Sequence, residues 1–240
     1  KPFDIIGAHY GHMQKQCGFS LYLRTAEQWN GFLRSSFLKK PKEHTSLRIY
    51  VDSDLFLTWG DTIAEHLQIL KKIPAETVLA LPKIIRLRDS RYLKLLEKSI
   101  RDNLEAVDGF LISSLEHVGL LQQWHFLQSK KRYGDHGLYL WNCRSIEFWT
   151  DYLDGFCLPL ELNYAEQRQL VNGILPAEKF LYGRIPMMVT ANCVTKTTDH
   201  CRREEGFGIT ELTDRYHKVF PVMRNCTHCY NIIYNSVPFS

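Results

Sequence analysis

The sequence predicts an α/β protein built as a TIM-like (β/α) barrel, and three observations carry that expectation. Short apolar runs alternate with amphipathic helical stretches along most of the chain, the pattern of parallel strands joined by right-handed crossovers. The first strand-to-helix turn has no G-x-G-x-x-G, and no G-x-x-x-x-G-K-[ST] occurs anywhere, which removes the usual evidence for an open nucleotide-binding sheet. The length, 240 residues, suits one barrel domain. About six or seven strands are visible, which leaves open whether the barrel is complete. The pattern changes at Thr190: residues 1–189 read as the barrel, and 190–240 as a Cys-rich, metal-binding C-terminal cap of the same domain.

In chain order, residues 1–19 read as an aperiodic lead-in containing His9, His12 and Cys17. Ser20 to Leu23 is the first strand, followed by a helix from Ala26 to about Leu38 with Trp29, Leu33 and Phe37 on one face. Leu47 to Val51 is a buried strand, with Thr62 to Lys72 as its helix. Thr77 to Leu81, ended by Pro82, is paired with a helix over Ser90 to Val107. Gly109 to Ser113 leads to a helix from Leu115 to about Lys130, Leu138 to Trp141 to one from Ser145 to Tyr152, and Phe156 to Leu160 to one from Tyr164 to Ile174. Lys179 to Leu181 with Met187 to Val189 supplies the last strand material. From Thr190 onward no long helix is expected.

Composition is that of a globular protein, 45% hydrophobic and 23% charged. No run of about 18 apolar residues occurs, so no membrane span is expected. The chain opens Lys1-Pro2-Phe3-Asp4 without a signal peptide and stops at Ser240 after a strand-like stretch, so it reads as a piece of a longer parent chain. Seven cysteines is an odd number that disulfides cannot exhaust, which points to a reducing compartment, with cytoplasm as the default. The formal charge of +4 neither demands nor excludes an anionic partner. Between Lys83 and Arg101, however, stand Lys83, Arg86, Arg88, Arg91, Lys94, Lys98 and Arg101 against two acids, either a solvated helix face or a phosphate-binding strip.

Functional groups of such folds gather at the carboxyl ends of the strands. That rule selects Asp52 and Asp54, Lys83 and Arg86, Asn142 and Cys143, Glu161 and Asn163, and Cys193 for one rim. Asp52 and Asp54 read as an acid–base pair or as plain turn and N-cap chemistry. Glu161 is the stronger single catalytic candidate, because a carboxylate inside an apolar run needs a partner.

Four of the seven cysteines fall in the 37 residues from Cys193 to Cys229, as Cys193-x7-Cys201-x24-Cys226-x2-Cys229. Two cysteines three apart can direct both sulfurs at one metal, and a second pair completes the four thiolates that zinc or an iron–sulfur cluster needs. His200 and His228 flank ligand cysteines and could replace one of them. The bland reading is four unrelated reduced thiols.

Tyr182-Gly-Arg-Ile-Pro-Met-Met-Val-Thr-Ala-Asn-Cys193, Asp214-Arg215 before Phe220-Pro-Val222, and Cys226-Thr-His-Cys229-Tyr-Asn-Ile-Ile-Tyr-Asn-Ser236 resemble the collagenase-like peptidases of unassigned catalytic type. The likeness is to the C-terminal half of the long members, of the 23S rRNA 5-hydroxycytidine synthase type. Weaker echoes run through Leu158 to Asn163, Leu138 to Cys143 and Ala80 to Arg86. The resemblance implies a barrel that holds a 4Fe-4S cluster on Cys193, Cys201, Cys226 and Cys229 and supports hydroxylation of RNA, with structural zinc as the alternative metal. Asn142 and Glu161 from that rim, with Arg184, are the candidates for catalysis. The family's E-x-F-x-x-G signature begins here at Glu178, and Cys193 matches its last cysteine. Pro186 replaces its earlier cysteine and Thr190-Ala191 the serine–glycine, so a catalytic role does not transfer directly.

Three functions follow as expectations: an iron–sulfur domain of an RNA-modifying enzyme, a metal-dependent endopeptidase, and a metal-stapled domain that binds RNA or a partner without chemistry of its own. Against the second, no H-E-x-x-H occurs, and a site closed by four cysteines leaves no position for a catalytic water.

Overall fold

The computed structural model describes residues 5–10, 17–35, 46–171, 174–198, 201 and 207–239. Seven strands form a curled parallel sheet: β2 (Cys17–Leu23), β3 (Leu47–Asp52), β4 (Ala75–Ala80), β5 (Gly109–Ile112), β6 (Lys131–Gly134), β7 (Gly155–Cys157) and β8 (Ala177–Tyr182). The sheet closes through β1 (Ile5–Tyr10), which pairs antiparallel with both β2 and β8. Helices α1 (Ala26–Leu33), α2 (Ser53–Thr58), α3 (Ile63–Lys71), α4 (Ser90–Asp102), α5 (Leu115–Gln123), α6 (Cys143–Trp149) and α7 (Tyr164–Leu170) lie in the crossovers. This is an α/β fold of the TIM-like kind, with one strand reversed.

The two-residue period of a strand explains how one chain fills both faces of the sheet. On β3, Ile49 and Val51 point outward into the layer shared with the helices, alongside Leu79, Leu96, Ile100 and Phe110. Tyr50 points inward, where Tyr22, Val78, Ala80, Leu111 and Tyr133 fill the barrel. Burial on both faces is why the strands read as continuous apolar runs rather than alternating ones. At Gly109 a Cβ would sit 2.7 Å from the Lys131 carbonyl oxygen, so β5 approaches β6 this closely only through glycine.

Several sequence expectations are corrected. The lead-in contains a strand, β1, because the sheet supplies partners on both sides of a segment with little periodicity of its own. Leu138 to Trp141 is not a strand: β6 is Lys131–Gly134, and His136–Leu138 forms a 3₁₀ turn. The strand is short and polar in sequence because only Tyr133 and Gly134 are buried, and a Cβ on Gly134 would meet Leu153 and Leu138 at 2.9 and 3.0 Å. The apolar residues that suggested a strand are loop side chains packed outside it, as Leu140 is. Helices α4 and α5 stop earlier than their apolar spacing suggests, at Asp102 and Gln123, with 3₁₀ turns following. Phe37 and Leu38, expected in α1, lie outside the described residues.

Met187 to Val189 is not barrel material. At Gly183, with φ of 140°, the chain leaves β8 and enters a separate antiparallel sheet in the order β10–β11–β12–β9, made of β9 (Pro186–Thr190), β10 (Phe207–Thr213), β11 (Val219–Asn225) and β12 (Tyr230–Tyr234). A short helix, α8 (Val194–Thr198), follows β9. Met223, Tyr230, Ile232 and Tyr234 bury one face of this sheet, with Ile84 from the barrel packed against them. No helix among the described residues is long and apolar enough to cross a membrane.

Candidate functional site

Two polar regions meet where the antiparallel sheet covers the carboxyl ends of the barrel strands. The first is the barrel mouth. Arg24, just past β2, is buried and donates to the Tyr234 hydroxyl of β12, while its Nε lies 3.5 Å from Asp52. Asp52 closes β3 and caps α2 by accepting from the Asp54 N–H at 3.0 Å. Burial and the neighbouring Asp54 push its carboxyl up to about 6, against the pull of Arg24. Across the mouth, Lys83 lies 2.8 Å from Asp135, and His136 is 3.6 Å from the same carboxylate. Burial alone would raise Asp135, but His136 and Lys83 hold it well below the usual carboxylate range. Burial likewise lowers His136, against the pull of the Asp135 carboxylate.

Deeper in the barrel, Glu178 of β8 accepts from Ser20 and, at 2.8 Å, from Tyr50. Arg48 lies 3.8 Å from it and 2.6 Å from Glu76. Glu178 lines, with Arg24, Lys83, Asp135 and His136, a cavity of only about 40 Å³, room for water but not for an organic substrate.

The second region is a cleft of about 760 Å³ lined by Cys193, Cys201, Cys226 and Cys229. Cys193 lies between β9 and α8, its carbonyl accepting from Thr197, and Cys201 lies beyond α8. Cys226 and Cys229 occupy the four-residue turn between β11 and β12, which starts after the pair Asn225↔Tyr230. Cys229 has a left-handed φ of 51°. The same cleft is lined by Arg86, Arg88, Lys196 and Arg224, with no carboxylate or imidazole among the described lining residues. Among the described residues, no three His, Cys, Asp or Glu side chains are gathered around one point as ligands to a single ion.

The other residues singled out from sequence separate by role. Asn142 and Asn163 are N-caps, of α6 and α7, each completing a capping box. Cys143 opens α6, with its Sγ 4.0 Å from the Gln169 carbonyl. Glu161 is exposed, which corrects the expectation that its apolar neighbours bury it: the strand ends at Cys157 and Glu161 falls in the following loop. Arg184 donates to the carbonyls of Asn235 and Ser236 at 2.8 and 2.6 Å, tying the C-terminal segment down. His228 is not a substitute ligand facing the cleft: its ring is 1% exposed and turned toward Asp54 and Asp89, at 3.2 and 3.6 Å. His12, His200, Arg202 and Arg203 lie outside the described residues, as do the side chains of His9 and Cys17.

Sequence reasoning missed Arg24, Arg48, Glu76, Asp135 and His136 as members of one network. Arg48 and Glu76 face each other on neighbouring strands, a pairing visible only once β3 and β4 are in register. Asp135 and His136 follow β6, the strand that the sequence placed later. The chain matches no protein-family model, no curated protein and no solved structure.

Proposed function

We propose that the cleft holds a 4Fe-4S cluster on Cys193, Cys201, Cys226 and Cys229, and that the protein supports hydroxylation of RNA, as its resemblance to the collagenase-like peptidases implies. One observation carries the reading: four thiols separated by up to 35 intervening residues line one cleft together with four cationic side chains. An all-thiol donor set suits an iron–sulfur cluster or zinc. The choice of a cluster over a single zinc follows the resemblance. Arg86, Arg88, Lys196 and Arg224 supply positive charge beside a group whose net charge with four thiolates is negative.

When bound, such a cluster supplies one-electron chemistry. The chain's own residues bind and orient. Arg91, Lys94, Lys98 and Arg101 stand exposed on α4, and Arg88 continues that basic strip toward the cleft, a track suited to backbone phosphates. The peptidase reading lacks support, because the described lining residues include no carboxylate or imidazole to serve as general base.

The test is the nucleoside content of RNA from cells expressing the protein, compared with cells expressing its Cys226→Ser variant. One nucleoside carrying an added oxygen, present with wild type and absent with the variant, is expected. Identical RNA from both, with iron bound in the wild type, would move the cluster to another reaction.

A further inference from the structure

We propose that Asp54, through Asn225 and His228, positions the Cys226–Cys229 turn to receive the iron–sulfur group; the inference rests on the reading of the cleft given above. Asp54 follows β3 on the barrel and is 8% exposed. Oδ2 accepts from Asn225 Nδ2 at 2.6 Å and Oδ1 lies 3.2 Å from His228 Nε2. Asn225 is in turn 1% exposed, and its Oδ1 accepts from the His228 N–H at 2.8 Å. Asp89, 6% exposed, faces the other ring nitrogen of His228, and the Tyr92 ring meets the imidazole edge-on with centroids 4.4 Å apart. The His228 carbonyl accepts from Arg86 and Arg88. His228, one of the two residues between the cysteines, is thus held by its side chain, its N–H and its carbonyl, all from the barrel or through Asn225.

A hairpin turn does not need this. Burying two carboxylates and an imidazole costs free energy that an apolar contact between sheet and barrel would avoid. What the arrangement fixes is the path of Cys226-Thr227-His228-Cys229, including the left-handed backbone at Cys229, which costs a non-glycine residue about 1 kcal/mol. Outer groups that orient the ligands of a metal centre have this form, and their removal lowers metal retention by about 10- to 100-fold. Asp54 is therefore a positioning residue that acts through Asn225 and His228 without reaching the cleft.

Asp54→Asn, close in volume, tests the assignment in two preparations, with Glu65→Gln on the exposed face of α3 as control. In metal-free protein, backbone hydrogen exchange over residues 225–230 should accelerate while β4 and β5 keep their protection. In protein loaded without oxygen, iron release to a chelator should quicken about tenfold or more, with a changed midpoint potential that a mere packing contact would not move. Should Asp54→Asn fail to fold, Asn225→Ser at the turn itself carries the same comparison. Unchanged exchange and unchanged iron release in a wild-type protein that holds iron would overturn the role of Asp54 alone. A wild-type protein that takes up no iron would overturn the reading of the cleft and this proposal with it.

Discussion

Glu76 offers the sharpest test of the buried charge network, because its energetics can be worked through from the structure. Its carboxylate accepts from Arg48 Nε at 2.6 Å, from Tyr133 at 2.7 Å and from Lys131 at 2.8 Å, and its side chain is 18% exposed. Burial alone would raise it, yet Arg48, Lys131 and Tyr133 together lower it from 4.5 to about 2. At about 1.4 kcal/mol per tenfold change in proton affinity, the difference contributes ~3 kcal/mol at pH 7. The folded value lies below the unfolded one, so this stability is complete above about pH 5 and is lost as pH falls toward 2. Glu76→Gln keeps the shape and removes the charge. Urea unfolding should show the variant less stable by ~3 kcal/mol at pH 7, narrowing to ~1 kcal/mol at pH 3. A deficit that stays constant with pH, or none at pH 7, would refute the assignment of charge pairing to this carboxylate and leave only its hydrogen bonds.

Other outcomes follow from the same geometry. Phe110, 0% exposed between sheet and helices, should cost ~3–5 kcal/mol as Phe110→Ala in urea unfolding, and a deficit under 1 kcal/mol would contradict tight packing there. The Asp52 carboxyl should titrate near 6 by carbon NMR and fall in Asp54→Asn, which removes the neighbouring charge. Because its folded value is raised, its contribution to stability is full below about pH 4 and is lost as pH rises through 6, so Asp52 titrating near 4 would contradict its burial against Asp54. RNA affinity should fall with salt, and Lys94→Ala with Lys98→Ala should reduce that salt slope by about one for each phosphate that is no longer neutralised; an unchanged slope would place the RNA elsewhere.

Much of the barrel was legible because its strands are buried on both faces. Leu47 to Val51 and Thr77 to Leu81 have no alternation to confuse with a helix, and helices α3 and α7 announce themselves by spacing and by the Asn163 cap. The strands that failed are those whose order comes from partners: β1, flanked by two strands, and β6, where Lys131 and Arg132 are edge-like in sequence but paired in space. At the site, the cysteine spacing located the cleft-lining thiols. The Asp54–His228 contact spans 174 residues and the Arg24–Tyr234 contact 210, and no local pattern encodes a pairing at that distance. Glu161 misled for a related reason: apolar neighbours in sequence are not a buried environment when the strand stops short of them.

The central claim rests on what the four thiols hold. Protein purified without oxygen should contain iron and acid-labile sulfide at about four per chain, with a broad visible absorption, and Cys226→Ala should lack both. Zinc at about one per chain would leave a structural staple and move the chemistry elsewhere, and metal-free protein with reactive thiols at all four positions would contradict the account.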